Sequence, residues 1–286
     1  MTQQLGLSER IVHTLQLAEE RGYNLTVEQL SQKLLGGSVP PEDLHPFLHE
    51  QNGIDSDGVF FATHGHLLSE KCRERQKSNI RLQAFYNQLA TDFIKEYRRF
   101  CPWVSCVMLS GSMASEGLSE GDDIDFDVVV PDGLKYTSYL LGLLVALKYS
   151  LLYGKRFWKR HVMCISVIWE QFQVFPFQRQ DEQLAFELLN ARVLYGEDFF
   201  HYMIGRNPWL STYVPQLYTK GKLSFPSLYP LRCPTSWLRR AGESFSKRVL
   251  HIMLKIGVVT VLQGVDLHSK MVVKHPYELF DVPEGS

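Results

Sequence analysis

Residues 107–130 read VMLSGSMASEGLSEGDDIDFDVVV, and this stretch decides the fold. Val107, Met108 and Leu109 form a short apolar run of the kind found in buried strands. Ser110, Gly111 and Ser112 follow as a turn. After ten intervening residues, Asp123-Ile124-Asp125-Phe126-Asp127 runs into Val128-Val129-Val130. Acidic and apolar residues alternate with period two, which predicts a second strand. On that strand Asp123, Asp125 and Asp127 share one face, while Ile124 and Phe126 point into a core. Three carboxylates on one face repel each other and call for cations. Oxygen donors on a rigid strand suit Mg²⁺, which uses one or two carboxylates plus substrate phosphates. The Ser110–Ser112 turn would offer backbone N–H groups to those phosphates, and a following helix N-terminus its positive end.

Other readings of the acidic run are weighed on the same residues. An EF-hand loop starting at Asp123 needs Gly sixth and Glu twelfth, but Val128 and Leu134 stand there. A solvated acidic hairpin is disfavoured by Val128-Val129-Val130, which suits a buried strand. A fold that retains the motif without catalysis stays open.

The order of strand, Gly111-Ser112, spacer and Asp123-Ile124-Asp125 resembles the nucleotidyltransferase superfamily of the DNA polymerase β type. The resemblance implies an α+β fold, a mixed β-sheet with flanking helices. It implies transfer of a nucleoside monophosphate from an NTP, with ATP the expected one, to an acceptor hydroxyl. Mg²⁺ or Mn²⁺ is the implied cofactor. Asp123 and Asp125 are the implied catalytic metal ligands, with Asp127 a further metal candidate. Ser110, Gly111 and Ser112 are the implied phosphate contacts. The acceptor stays open between a small molecule, a protein side chain and an RNA end. The run EQLAFELLNARVLYGEDFF at residues 182–200, followed by NPWLSTYVP at 207–215, is similar to bacterial and archaeal nucleotidyltransferase-domain proteins that carry an N-terminal winged helix. Active superfamily members usually place a third carboxylate on the next strand. In this chain that strand is Val162 to Trp169, and Cys164 and Ser166 occupy the equivalent places. Asp127, roughly 6.7 Å along the strand from Asp125, is one possible substitute; Glu170 and Asp181 are others.

The flanks divide the chain into a unit at 1–75, the nucleotidyltransferase-like unit at 76–215 and a helical region at 216–286. Leu7 to Arg21 has an amphipathic pattern. Thr26 with Gln29 makes a capping box for the next helix, and Pro41 starts a third that Pro46 shortens or kinks. Gly53 to Phe61 reads as strand, Asp-Gly turn, strand. Helices and hairpin together resemble a winged helix. From Thr26 to Phe61 the only Lys or Arg is Lys33. Phosphate contacts supply most DNA affinity, so a structural or interaction role is favoured over DNA binding. Residues 66–100 predict a long helix, basic in its first half. Leu134 to Tyr153 predicts an apolar helix, whose most apolar part, Tyr139 to Tyr153, is shorter than a span and carries Lys148. A basic cluster of Lys155, Arg156, Lys159, Arg160 and His161 follows. Trp237 to Gln263 predicts a basic amphipathic helix.

Composition sets the outer bounds. The 286 residues are 45% hydrophobic with a net charge of −1, so no bulk charge draws the chain to nucleic acid or membrane. The five cysteines show no Cys-x-x-Cys pair, which suggests free thiols in a reducing compartment. With no signal pattern at the start, a cytoplasmic location is expected. Two rival functions remain beside the enzyme: a catalytically impaired module that binds nucleotide or a partner protein, and a winged-helix DNA regulator.

Overall fold

The computed structural model describes residues 6–20, 25–50, 66–119, 122–153, 162–222, 224 and 233–255. In chain order the elements are α1 (Leu7–Glu20), α2 (Val27–Lys33), α3 (Pro41–Glu50), α4 (His66–Phe100), β1 (Cys106–Leu109), α5 (Gly111–Ala114) and β2 (Ile124–Val130). Then come α6 (Lys135–Tyr153), β3 (Met163–Glu170), α7 (Glu182–Asn190), β4 (Arg192–Tyr195), α8 (Glu197–Gly205), α9 (Leu210–Tyr213), α10 (Pro215–Tyr218) and α11 (Ser236–Lys255). The expected hairpin at Gly53–Phe61 and the basic cluster at 155–161 lie outside the described residues. So does the end of the C-terminal helix.

The fold is mixed α and β, built on one four-stranded sheet of order β3-β2-β1-β4. β1 is antiparallel to both β2 and β4, while β2 and β3 are parallel. A parallel pair needs a long crossover, and α6 supplies it. β4 joins the free edge of β1, a run too short for alternation to reveal.

Alternation along β2 sorts its side chains between two cores. Ile124, Phe126, Val128 and Val130 enter a cluster with Phe93 and Tyr97 of α4 and Tyr139 and Leu143 of α6. Phe93 stacks on Phe126 with centroids 4.8 Å apart, a contact worth about 0.5–1.5 kcal/mol beyond burial. Gly142 lets α6 lie against β3, because a Cβ there would strike Ile165 Cδ1. Outside α6 lies α11, whose Glu243 accepts from Tyr136 N at 2.8 Å and Thr137 N at 2.9 Å. Those donors belong to the first turn of α6, where a carboxylate satisfies groups the helix leaves open.

The opposite sheet face contributes Met108, Val129, Val167 and Trp169 to a second cluster. That cluster runs without a break through α7 and α8 into the N-terminal helices, including Ile11, Leu30, Leu34 and Leu44. The capping box of α2 forms as Thr26 and Gln29 predict. His13 reaches Glu182 of α7 at 3.1 Å, and Gln216 Nε2 donates to Leu34 O at 3.0 Å. The N-terminal helices therefore share a core with the sheet. α3 continues through Pro46. No helix among the described residues is long and apolar enough to cross a membrane.

Candidate functional site

The turn between β1 and α5 is fixed by one close approach. Gly111 has φ 62°, the left-handed region that costs a residue with Cβ. A Cβ there would fall within contact distance of Asp125 Oδ2 and 3.1 Å from its Cγ. Glycine is thus what allows the turn to lie on the Asp125 carboxylate. Ser110 N donates to Asp125 O at 3.1 Å, which pins the turn to β2. α5 is a single turn of helix.

Asp123, immediately before β2, Asp125 on β2 and Cys164 on β3 converge. One ligand atom from each lies within 4.8 Å of the others. The strand register explains this, since Asp125 pairs with Cys164 across the parallel ladder. One step further the register slips between Phe126 and Asp127, so that Phe126 faces Ile165 and Asp127 faces Val167. Ser166 is the extra residue of this bulge, and bulges of this kind re-aim side chains. Its hydroxyl donates to Asp125 Oδ1 at 2.6 Å and lies 3.7 Å from Cys164 Sγ.

Among the described residues, the charged groups acting on Asp125 are acidic. Burial raises the Asp125 carboxyl to about 7, and the charge of Asp123 adds to the effect; the Ser166 hydrogen bond opposes it. Burial also raises Asp123. The Cys164 thiol is pushed up by burial and then by Asp125 and Asp123.

Asp127 has a different setting. It is buried, accepts from Ser110 Oγ at 3.1 Å and is not among the converging ligand atoms. Burial holds it well above the ordinary carboxylate range, with Glu187 adding to the shift. The Ser110 hydroxyl is therefore spent on Asp127, and only Gly111 and Ser112 of the turn remain half-exposed. Glu170 pairs with Val130, five residues beyond Asp125 and so roughly 16 Å along the strand. It accepts from Gly133 N. Asp181 caps α7 through Leu184 N at 2.9 Å and pairs with Arg179. Neither acid joins the cluster.

Two neighbours of the site are not evident from the motif. Glu187 of α7 acts on both Asp125 and Asp127. Its signal is an acid set between two buried apolar neighbours, Phe186 and Leu188, in mid-helix. Glu116, at φ 62° after the turn, accepts from Gln29 Nε2 of α2 at 2.6 Å. It also faces Lys33 and Arg192. The N-terminal helices thereby reach the loop that carries the turn.

Compared with known proteins, the chain matches no family model, no curated protein and no solved structure.

Proposed function

We propose that this chain binds a divalent cation and a nucleoside triphosphate at Gly111, Asp123 and Asp125, and transfers the nucleoside monophosphate to an acceptor hydroxyl. One observation carries the reading: a left-handed glycine turn lies directly against Asp125, one of a pair of adjacent, half-exposed carboxylates. The finer fold assignment, a nucleotidyltransferase-like sheet with a winged-helix-like N-terminal unit, belongs to the same proposal. The order α4, β1, turn, β2, α6, β3 supports it, with β1 antiparallel to β2 and β3 parallel to it.

The donor set fits a divalent ion. Asp123 and Asp125 lie side by side, and among the described residues the charged groups acting on Asp125 are Asp123, Glu187 and Asp122. An ion bound there would neutralise phosphate charge and favour in-line attack. The turn at Gly111 and Ser112 positions the phosphate chain beside the two carboxylates. Ser166 holds Asp125 Oδ1 and so sets the direction of that carboxylate. The acceptor oxygen forms a bond to the α-phosphorus, the bond to the leaving pyrophosphate breaks, and the hydroxyl proton passes to water.

Cys164 in place of a third acid favours a second reading, a module that binds the nucleotide without transferring it. Labelled ATP, GTP, CTP and UTP, each with Mg²⁺ or Mn²⁺, separate the two. Pyrophosphate release that disappears in Asp125→Asn supports transfer. Binding without release supports the module, and neither binding nor release removes both.

A further inference from the structure

Two carboxylates and a thiol make a different ligand set from three carboxylates. Mg²⁺ demands oxygen donors in near-octahedral array. Thiolate donors select softer ions, and Zn²⁺ accepts sulfur, nitrogen and oxygen together. Resting on the reading of Asp123 and Asp125 as cation ligands, we propose that Asp123, Asp125 and Cys164 form a site for a thiophilic divalent cation of the Zn²⁺ or Co²⁺ class, with the Cys164 sulfur as a direct ligand.

The geometry supports it on several counts. The three ligand atoms lie within 4.8 Å of one another. Bond lengths of about 2.0–2.3 Å around a tetrahedral ion set donor atoms roughly 3.3–3.7 Å apart, so small rotations of the side chains close the site. Three protein ligands leave the fourth position open, as in catalytic zinc centres. Cys164 is also placed by the ladder, opposite Asp125, one step before the bulge. Cys101 and Cys106 differ from it: both are fully buried in the apolar clusters, as small hydrophobes. Ser166 supplies the hydrogen bond from outside the ligand set that orients a metal-binding carboxylate. Independently of the sulfur, Asp125 lies in the field of Asp123, Glu187 and Asp122 among the described residues, a repulsion that a cation relieves. On binding, the Cys164 S–H bond breaks, the proton goes to water and the sulfur–metal bond forms, so the ion is neither oxidised nor reduced.

The test uses the full chain, stripped with chelator and titrated with Co²⁺ in the absence of nucleotide. The expected result is a near-ultraviolet sulfur-to-cobalt charge-transfer band at one equivalent. Zn²⁺ should abolish it, and millimolar Mg²⁺ should not. Cys164→Ser, nearly isosteric, should fold with unchanged circular dichroism and lose the band. Ser166→Ala should keep the band and weaken Co²⁺ binding about 10-fold or more. Co²⁺ binding without the band overturns the proposal, as does a band that survives in Cys164→Ser. Mg²⁺-driven nucleotidyl transfer without the band would leave the transfer reading intact and remove this one. A band without transfer would do the reverse.

Discussion

Asp125 and Asp127 stand one pleat apart on the same face of β2, yet the fold gives them opposite settings. Asp125 faces the glycine turn, a second carboxylate and a thiol, at the half-exposed end of the strand. Asp127 is sealed beneath Ser110 and answers to one hydroxyl. The difference comes from what lies opposite. The bulge at Ser166 turns a hydroxyl toward Asp125, and after it Val167 and Trp169 fill the same sheet face with apolar bulk. A repeated acid in sequence thus becomes one candidate ligand and one buried structural group.

The harshest way to disturb this comparison is Gly111→Ala. A side chain there meets the left-handed backbone cost of about 1–2 kcal/mol and a collision with Asp125, typically another 1–3 kcal/mol. Chemical denaturation should show a loss of about 2–5 kcal/mol. A loss below about 1 kcal/mol would mean that the turn does not press on Asp125.

The pH dependence sharpens the contrast next. Folded Asp125 keeps its proton up to about 7, whereas the unfolded side chain releases it near 3.8. Its contribution to stability is complete below that lower value and is lost as pH rises toward the upper one, because the folded chain binds the extra proton in between. Each unit of displacement is worth about 1.4 kcal/mol. Cation-free protein should therefore melt at a higher temperature at pH 5 than at pH 8, and Asp125→Asn should flatten that slope. Added divalent cation should restore the melting temperature at pH 8.

A smaller effect tests the Asp127 side. Ser110→Ala removes the hydroxyl that donates to the buried carboxyl, at a cost of about 1–3 kcal/mol, and leaves cation binding at Asp123 and Asp125 unchanged. The smallest expected effect is that of Glu187→Gln. It relieves repulsion on both acids and should raise stability at pH 8 by under about 1 kcal/mol, with the Asp125 titration moving down.

Much of the sheet was legible because its signals are local. The alternation at 123–127 marked β2, the apolar runs marked β1, α6 and β3, and Thr26 with Gln29 marked the start of α2. That Cys164 and Ser166 share the face of Asp125 was also readable, since both follow the parity of one strand. What sequence could not supply was the bulge. It depends on how β3 seats against β2, and it decides that Ser166 and Val167 turn to the same face. The roles of Ser110 and Glu187 are equally non-local, each depending on a strand or helix brought up from elsewhere in the chain. Residues 1–50 had the helices of a separate unit in their pattern, but their shared core with α7–α10 rests on contacts such as Gln216 to Leu34 that no local pattern encodes.

The most direct test is calorimetric titration of ATP, with a saturating divalent cation, into wild type, Asp125→Asn and Asp127→Asn, each shown to be folded by circular dichroism. Cation-dependent binding should be present in wild type, fall by at least about 100-fold in Asp125→Asn, the equivalent of about 2.7 kcal/mol, and remain within a few-fold of wild type in Asp127→Asn. Unchanged binding in Asp125→Asn, or equal loss in both variants, would contradict the account.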